Sequence, residues 1–113
     1  MGNDPSTVVS LRGAEATFTL GADDDAETVE NFDVVVRLPD GSRWSASLLT
    51  LAEIGRLMDR WRGTGECLGG AFFQSADLVI LRRGGVPAAT RLLQQLVDAG
   101  EIPVTLAELD ADD

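Results

Sequence analysis

TLAEIGRLMDRWRGTGECLGGAFFQSADLVILRR, residues Thr50–Arg83, holds a helix, its stop and the strands expected after it, and the rest of the chain is read by what this stretch can cover. Thr50 followed by Glu53 has capping-box spacing, in which the hydroxyl accepts from a backbone N–H one turn in and the carboxylate reaches back to the cap. Leu51, Ile54, Leu57, Met58 and Trp61 recur at helical spacing and form an apolar stripe. Glu53, Arg56, Asp59 and Arg60 fall on the other side, with Glu53–Arg56 and Arg56–Asp59 close enough to pair. Gly63 and Gly65 supply the stop. Gly55 costs about 1 kcal/mol relative to alanine inside a helix, so it is expected where backbone approaches a sheet closely. After the glycine-rich turn Gly63–Gly70, the segments Ala71–Gln74 and Leu78–Arg82 read as two strands. The second begins LVIL, continuously apolar, and is expected inside the sheet.

Upstream lies the floor for this helix. Val29–Leu38 alternates strictly, with Phe32, Val34, Val36 and Leu38 on one face. Pro39–Asp40–Gly41 turns the chain, proline fixing φ and glycine accepting a positive φ. Arg43–Leu49 returns with Trp44, Ala46 and Leu48 on one side. Thr7–Leu11 and Ala16–Leu20 make an earlier hairpin around Arg12–Glu15. Downstream, Pro87 suits the first turn of a second helix, along which Ala89, Leu92, Leu93, Leu96 and Val97 form one broad face before Gly100. The expected fold is α+β: an antiparallel sheet of about 4–6 strands with two helices packed on one face, built as a β-hairpin and then strand–strand–helix twice. The 113 residues read as one domain. Its core spans 29–102, with 1–6 and 105–113 as flexible tails.

Net charge is −10, unevenly spread. Residues 1–33 carry eight acids against one arginine, and 98–113 carry six acids and no base, whereas 34–97 carry eight arginines against five acids. Free nucleic acid is repelled by such a chain, and an acidic surface suits a basic protein partner. All nine bases are arginine, which together with the many alanines and aspartates points to a GC-rich bacterial or halophilic source. No apolar run approaches membrane-spanning length, the N-terminus lacks the basic and apolar regions of a secretory signal, and the single cysteine permits no internal disulfide. A cytoplasmic protein is expected.

Histidine, tyrosine and lysine are absent. That removes His-dependent triads, His-bearing zinc sites, P-loops and Schiff-base chemistry. The run Asp23–Asp25 lacks the alternating acids and glycine of an EF-hand loop, so a solvated acidic loop is expected and no metal or cofactor. Cys67 is the one candidate nucleophile, with Arg60 and Arg62 its nearest cations in sequence; as a small hydrophobe plugging its turn it needs no chemical role. Glu66 and Asp77 offer a carboxylate pair across the strand entry, as acid–base chemistry needs, and the special-loop candidates are therefore Glu66, Cys67 and Asp77. Phe72 and Phe73 are adjacent and point to opposite faces if the segment is a strand, leaving one on the far face as a contact residue.

The segment TGECLGGAFFQSADLVIL resembles a group of small uncharacterised bacterial proteins. Its marks are a DG turn (Asp40–Gly41), a threonine-capped helix (Thr50), a TGEC-type turn (Thr64–Cys67), a G-x-x-F step (Gly70–Phe73) and a D-hydrophobic strand (Asp77–Leu81). The likeness spans Asp33–Ile102. It implies the fold boundaries and no activity.

These readings converge on a small acidic protein-binding module of immunity or antitoxin type, without catalysis, that meets a basic protein or a second copy of itself. The contact residues expected are Asp23, Asp24, Asp25, Glu27, Glu30 and Phe73. Two alternatives stand beside it: a thiol- or carboxylate-dependent enzyme centred on Glu66, Cys67 and Asp77, and a weak single-strand nucleic-acid binder using the central arginines with the aromatics beside them.

Overall fold

The computed structural model describes residues 6–110; the tail expectations for 1–5 and 111–113 lie outside them. Among these residues the fold is α+β, an open and mainly antiparallel sheet of six strands with four helices. β1 (Ser6–Leu11) and β2 (Ala14–Thr19) form a hairpin closed by Arg12–Gly13. Gly13 takes a positive φ there, and the turn is tied down from outside. Gln94 accepts from the Arg12 N–H (2.9 Å) and donates to its carbonyl (3.1 Å), while the Arg12 guanidinium meets Asp98 at 3.0 Å.

β3 (Asn31–Arg37) and β4 (Arg43–Thr50) pair around the expected turn. Gly41 adopts the left-handed conformation, and Asp40 accepts from both the N–H (2.9 Å) and the hydroxyl (2.6 Å) of Ser42. The register sets Phe32 opposite Leu48, Val34 opposite Ala46 and Val36 opposite Trp44, while β2 adds Ala16 and Phe18 beside Val36 and Val34. Because side chains alternate along a strand, these residues share one face. That face is covered by α3 (Val86–Asp98), whose Ala89 and Leu93 are fully buried, and by Ile102 and Leu106 beyond it.

Four expectations are corrected. First, α1 (Leu51–Thr64) contributes nothing to this apolar cluster. Its one buried residue is Leu57, and Leu51, expected on the sheet, is 70% exposed. Leu49, on the opposite face of β4 from Leu48, is buried apart from the cluster, so the two long helices serve different apolar contacts. Nothing approaches Gly55, and a Cβ there would meet open space. Second, Ala71–Gln74 is no strand. After α1 the chain passes through α2 (Glu66–Gly70), in which Cys67, Leu68 and Gly69 are left-handed, and Phe73 then stacks on Trp61 with centroids 5.7 Å apart. That contact holds the segment against α1, away from the sheet. Third, with one strand removed from the path, the next arrives in the reverse direction: β5 (Leu78–Leu81) pairs parallel to β4 and stands at the edge of the sheet, not inside it. Fourth, part of the expected tail is structured. α4 (Ile102–Thr105) leads to β6 (Ala107–Leu109), which pairs antiparallel with Arg43–Ser45 of β4.

No helix among the described residues is long and apolar enough to cross a membrane.

Candidate functional site

The hairpin register brings the best candidate site together. Asn31 lies opposite Leu49, so one step further out Glu30 meets Thr50, the cap of α1. The Thr50 N–H donates to the Glu30 carbonyl (3.1 Å), and its hydroxyl donates to Glu30 Oε2 (2.8 Å) while accepting from the Glu53 N–H (3.1 Å). This is why the capping box is only half made. The N–H that Glu53 would have reached is already bonded, and its carboxylate turns instead to Arg56 Nε (3.0 Å) and Asn31 Nδ2 (3.4 Å). Arg56 also donates to Glu30 Oε1. The expected Arg56–Asp59 pair is absent, and Asp59 faces Arg62 at 3.6 Å.

Charge and hydrogen bonding agree here. The Thr50 hydroxyl first, and then the Arg56 guanidinium, hold the Glu30 carboxyl below its ordinary range. Glu30, followed by Glu53, raises Arg56 further above its already high value. Both carboxylates sit at the N-terminal end of α1, where the helix dipole favours negative charge.

The acidic loop closes the other side of the hollow. Asp24 Oδ2 accepts from the Gly21 N–H (2.8 Å) and Asp25 Oδ1 from the Glu27 N–H (2.8 Å). The Asp25 carbonyl then accepts from the Thr28 and Val29 N–H groups. The loop is docked on the start of α3, where the Gly85 and Val86 N–H groups each donate at 2.7 Å to the Val29 and Ala26 carbonyls. A Cβ at Gly85 would fall 2.3 Å from the Glu27 carbonyl oxygen, so glycine is what permits the docking. The result is an open hollow of about 370 Å³ lined by Asp23, Asp24, Asp25, Glu30 and Glu53, with Arg56 as its one base. Of the acids expected as contacts, four line this hollow and Glu27 lies on the same loop outside it.

Other candidates fall elsewhere. Phe73, expected exposed, is half-buried in the stack on Trp61, and Phe72 is the exposed one at 44%. The alternation argument fails because the segment is not extended. Glu66, Cys67 and Asp77 are not drawn into one constellation. The Asp77 carboxylate accepts from the hydroxyls of Ser45, Ser47 and Ser75 (2.8, 2.8 and 3.0 Å), and its backbone carbonyl accepts from the Ser47 N–H at 2.8 Å. It is a clasp between β4 and the entry to β5. Glu66 is exposed and Cys67 half-buried on the left-handed turn. Among the described residues no three His, Cys, Asp or Glu side chains gather as a metal cage.

Sequence reasoning missed Glu53, Arg56 and Asn31 as parts of the site. The signal was present in the register: the turn at Pro39–Gly41 fixes which residues of the two strands face one another, and so carries Glu30 to the helix cap.

No protein-family model, no curated protein and no solved structure matches the chain.

Proposed function

We propose that this protein is an acidic protein-binding module, of the kind that meets a basic enzyme in the cytoplasm, and that the hollow at the head of α1 receives a basic segment of its partner. One observation carries the reading: five carboxylates ring a hollow whose one guanidinium, Arg56, is already held by two of them. Such a surface steers a cation and gives it several acceptors at once. Its loop is docked to α3 by backbone bonds, so little ordering is left for binding to impose.

Asp23 and Glu27 make no side-chain bond among the described residues, which makes them safe positions for a test. The protein and its Asp23→Lys/Glu27→Lys variant are immobilised, proteins retained from an extract of the source organism are identified, and the affinity of the retained partner is measured by calorimetry at rising salt. The variant is expected to bind about tenfold or more weakly, with wild-type affinity falling as salt screens the surface. Equal affinity of the two proteins would refute the hollow as the contact surface. Cys67→Ser is expected to bind as wild type does.

A further inference from the structure

We infer that the outer edge of β5 is a docking site for an extended acidic–apolar strand of another protein. This site adjoins the acidic hollow through Glu30, which lines both, but does not depend on a partner binding there. The Ser47 N–H donates to the Asp77 carbonyl, and this fixes the phase of the parallel ladder. Val79 and Leu81 turn their backbone groups to β4, so Ile80 turns both of its groups outward and Arg82, just past the strand, its N–H. Among the described residues β5 ends the strand order, so these outward groups face no further strand. The strand itself, LVIL, bears none of the charges that blunt natural edges, and Ile80 is 49% exposed.

Two hollows meet at Ile80–Arg83. One, about 680 Å³, is bounded by Leu51 and Ala52 at the head of α1. The other, about 430 Å³, is bounded by Ala88 and Leu92 of α3. A strand added to β5 would send alternate side chains to opposite faces, one set toward each hollow. Charge selects its chemistry. Arg82, Arg83 and Arg91 line these hollows, and their side chains make no ion pair or hydrogen bond among the described residues. The one acid there, Glu30, is already bonded to Thr50 and Arg56. The opposite edge, β1, is also free of charge, with Val8 59% exposed, but the arginine at its end, Arg12, is already paired with Asp98. Apolar side chains for the hollows and carboxylates for the arginines therefore define the occupant.

The probe is a fluorescein-labelled peptide of alternating valine and glutamate, about eight residues long, with valine–lysine and N-methylated versions as controls. Anisotropy should rise for the valine–glutamate peptide alone, and amide exchange should slow at Ile80 and Arg82 but not at Leu81. Ile80→Pro removes an outward N–H without touching the ladder to β4 and should weaken binding at least about tenfold. Arg82→Glu/Arg83→Glu, which leaves the strand intact, should do the same. No binding, equal binding of the lysine peptide, or binding that survives both variants would overturn the inference. So would a dimer in sedimentation that Ile80→Pro abolishes, since a second copy would then occupy the edge, or a labelled single-stranded oligonucleotide competing at the same arginines.

Discussion

Replacing Asp77 by alanine should loosen the attachment of β5 to the sheet. Three hydroxyls donate to that carboxylate, from Ser45 and Ser47 on β4 and from Ser75 on the incoming loop. A hydrogen bond to a charged group contributes about 1.5–3 kcal/mol when shielded, but this carboxylate is only part-buried, so solvent screening lowers each to about 0.5–1 kcal/mol. The backbone bond from Ser47 to the Asp77 carbonyl survives the substitution. The expected loss is about 2 kcal/mol, read by urea unfolding at neutral pH as a midpoint lower by about 1 M at unchanged slope. Asp77→Asn keeps an acceptor and should lose about half as much. Acid gives an independent arm. Burial pushes the carboxyl up, but the three serine hydroxyls together outweigh it and hold it below its ordinary 3.8. A group depressed in the folded state stabilises fully above its unfolded value and loses that contribution as pH falls through the folded one. The gap between wild type and Asp77→Ala is therefore complete at neutral pH and closes below about pH 4. A loss under about 0.5 kcal/mol, or a gap that widens in acid, would refute the clasp.

Other substitutions test the backbone. Gly55→Ala should stabilise by about 0.5–1 kcal/mol in the same urea assay, because a methyl group there meets only open space within α1. Leu68→Gly should also stabilise, by about 1 kcal/mol, since Leu68 is left-handed at φ 55° and 82% exposed, with strain to relieve and little burial to lose. Gly70→Ala should do the reverse and cost more than about 2 kcal/mol, visible as a large fall in thermal midpoint. Its Cβ would lie 1.9 Å from the Met58 carbonyl oxygen at φ +84°.

What could be read from the chain was what its neighbours in sequence decide. The alternation of Phe32, Val34 and Val36, the turn at Asp40–Gly41, the Thr50 cap, the stop at Gly65 and Pro87 in the first turn of α3 all reappear. What could not be read depends on a partner chosen from afar. Ala71–Gln74 has a strand's composition, but Phe73 finds Trp61 before it finds a neighbouring strand. That one contact removes a strand, reverses β5, and moves LVIL from the middle of the sheet to its edge. The last residues carry too few apolar groups to announce β6, which forms because β4 has an unpaired edge at Arg43–Ser45. In the site, the acids of 23–25 were legible as a loop by composition. Their meeting with Glu53 and Arg56 was not, because it rests on hairpin register and on the docking of Ala26 and Val29 against α3.

The claim that the hollow receives a basic segment is tested most directly by following backbone amide shifts while an arginine-rich peptide of about ten residues is added. Saturable shifts concentrated on residues 21–31 and 53–56, and lost in Asp23→Lys/Glu27→Lys, are expected. Shifts spread equally to Glu101, Glu108 and Asp110, or unchanged in the variant, would mean that the peptide responds to net charge alone and would contradict the account.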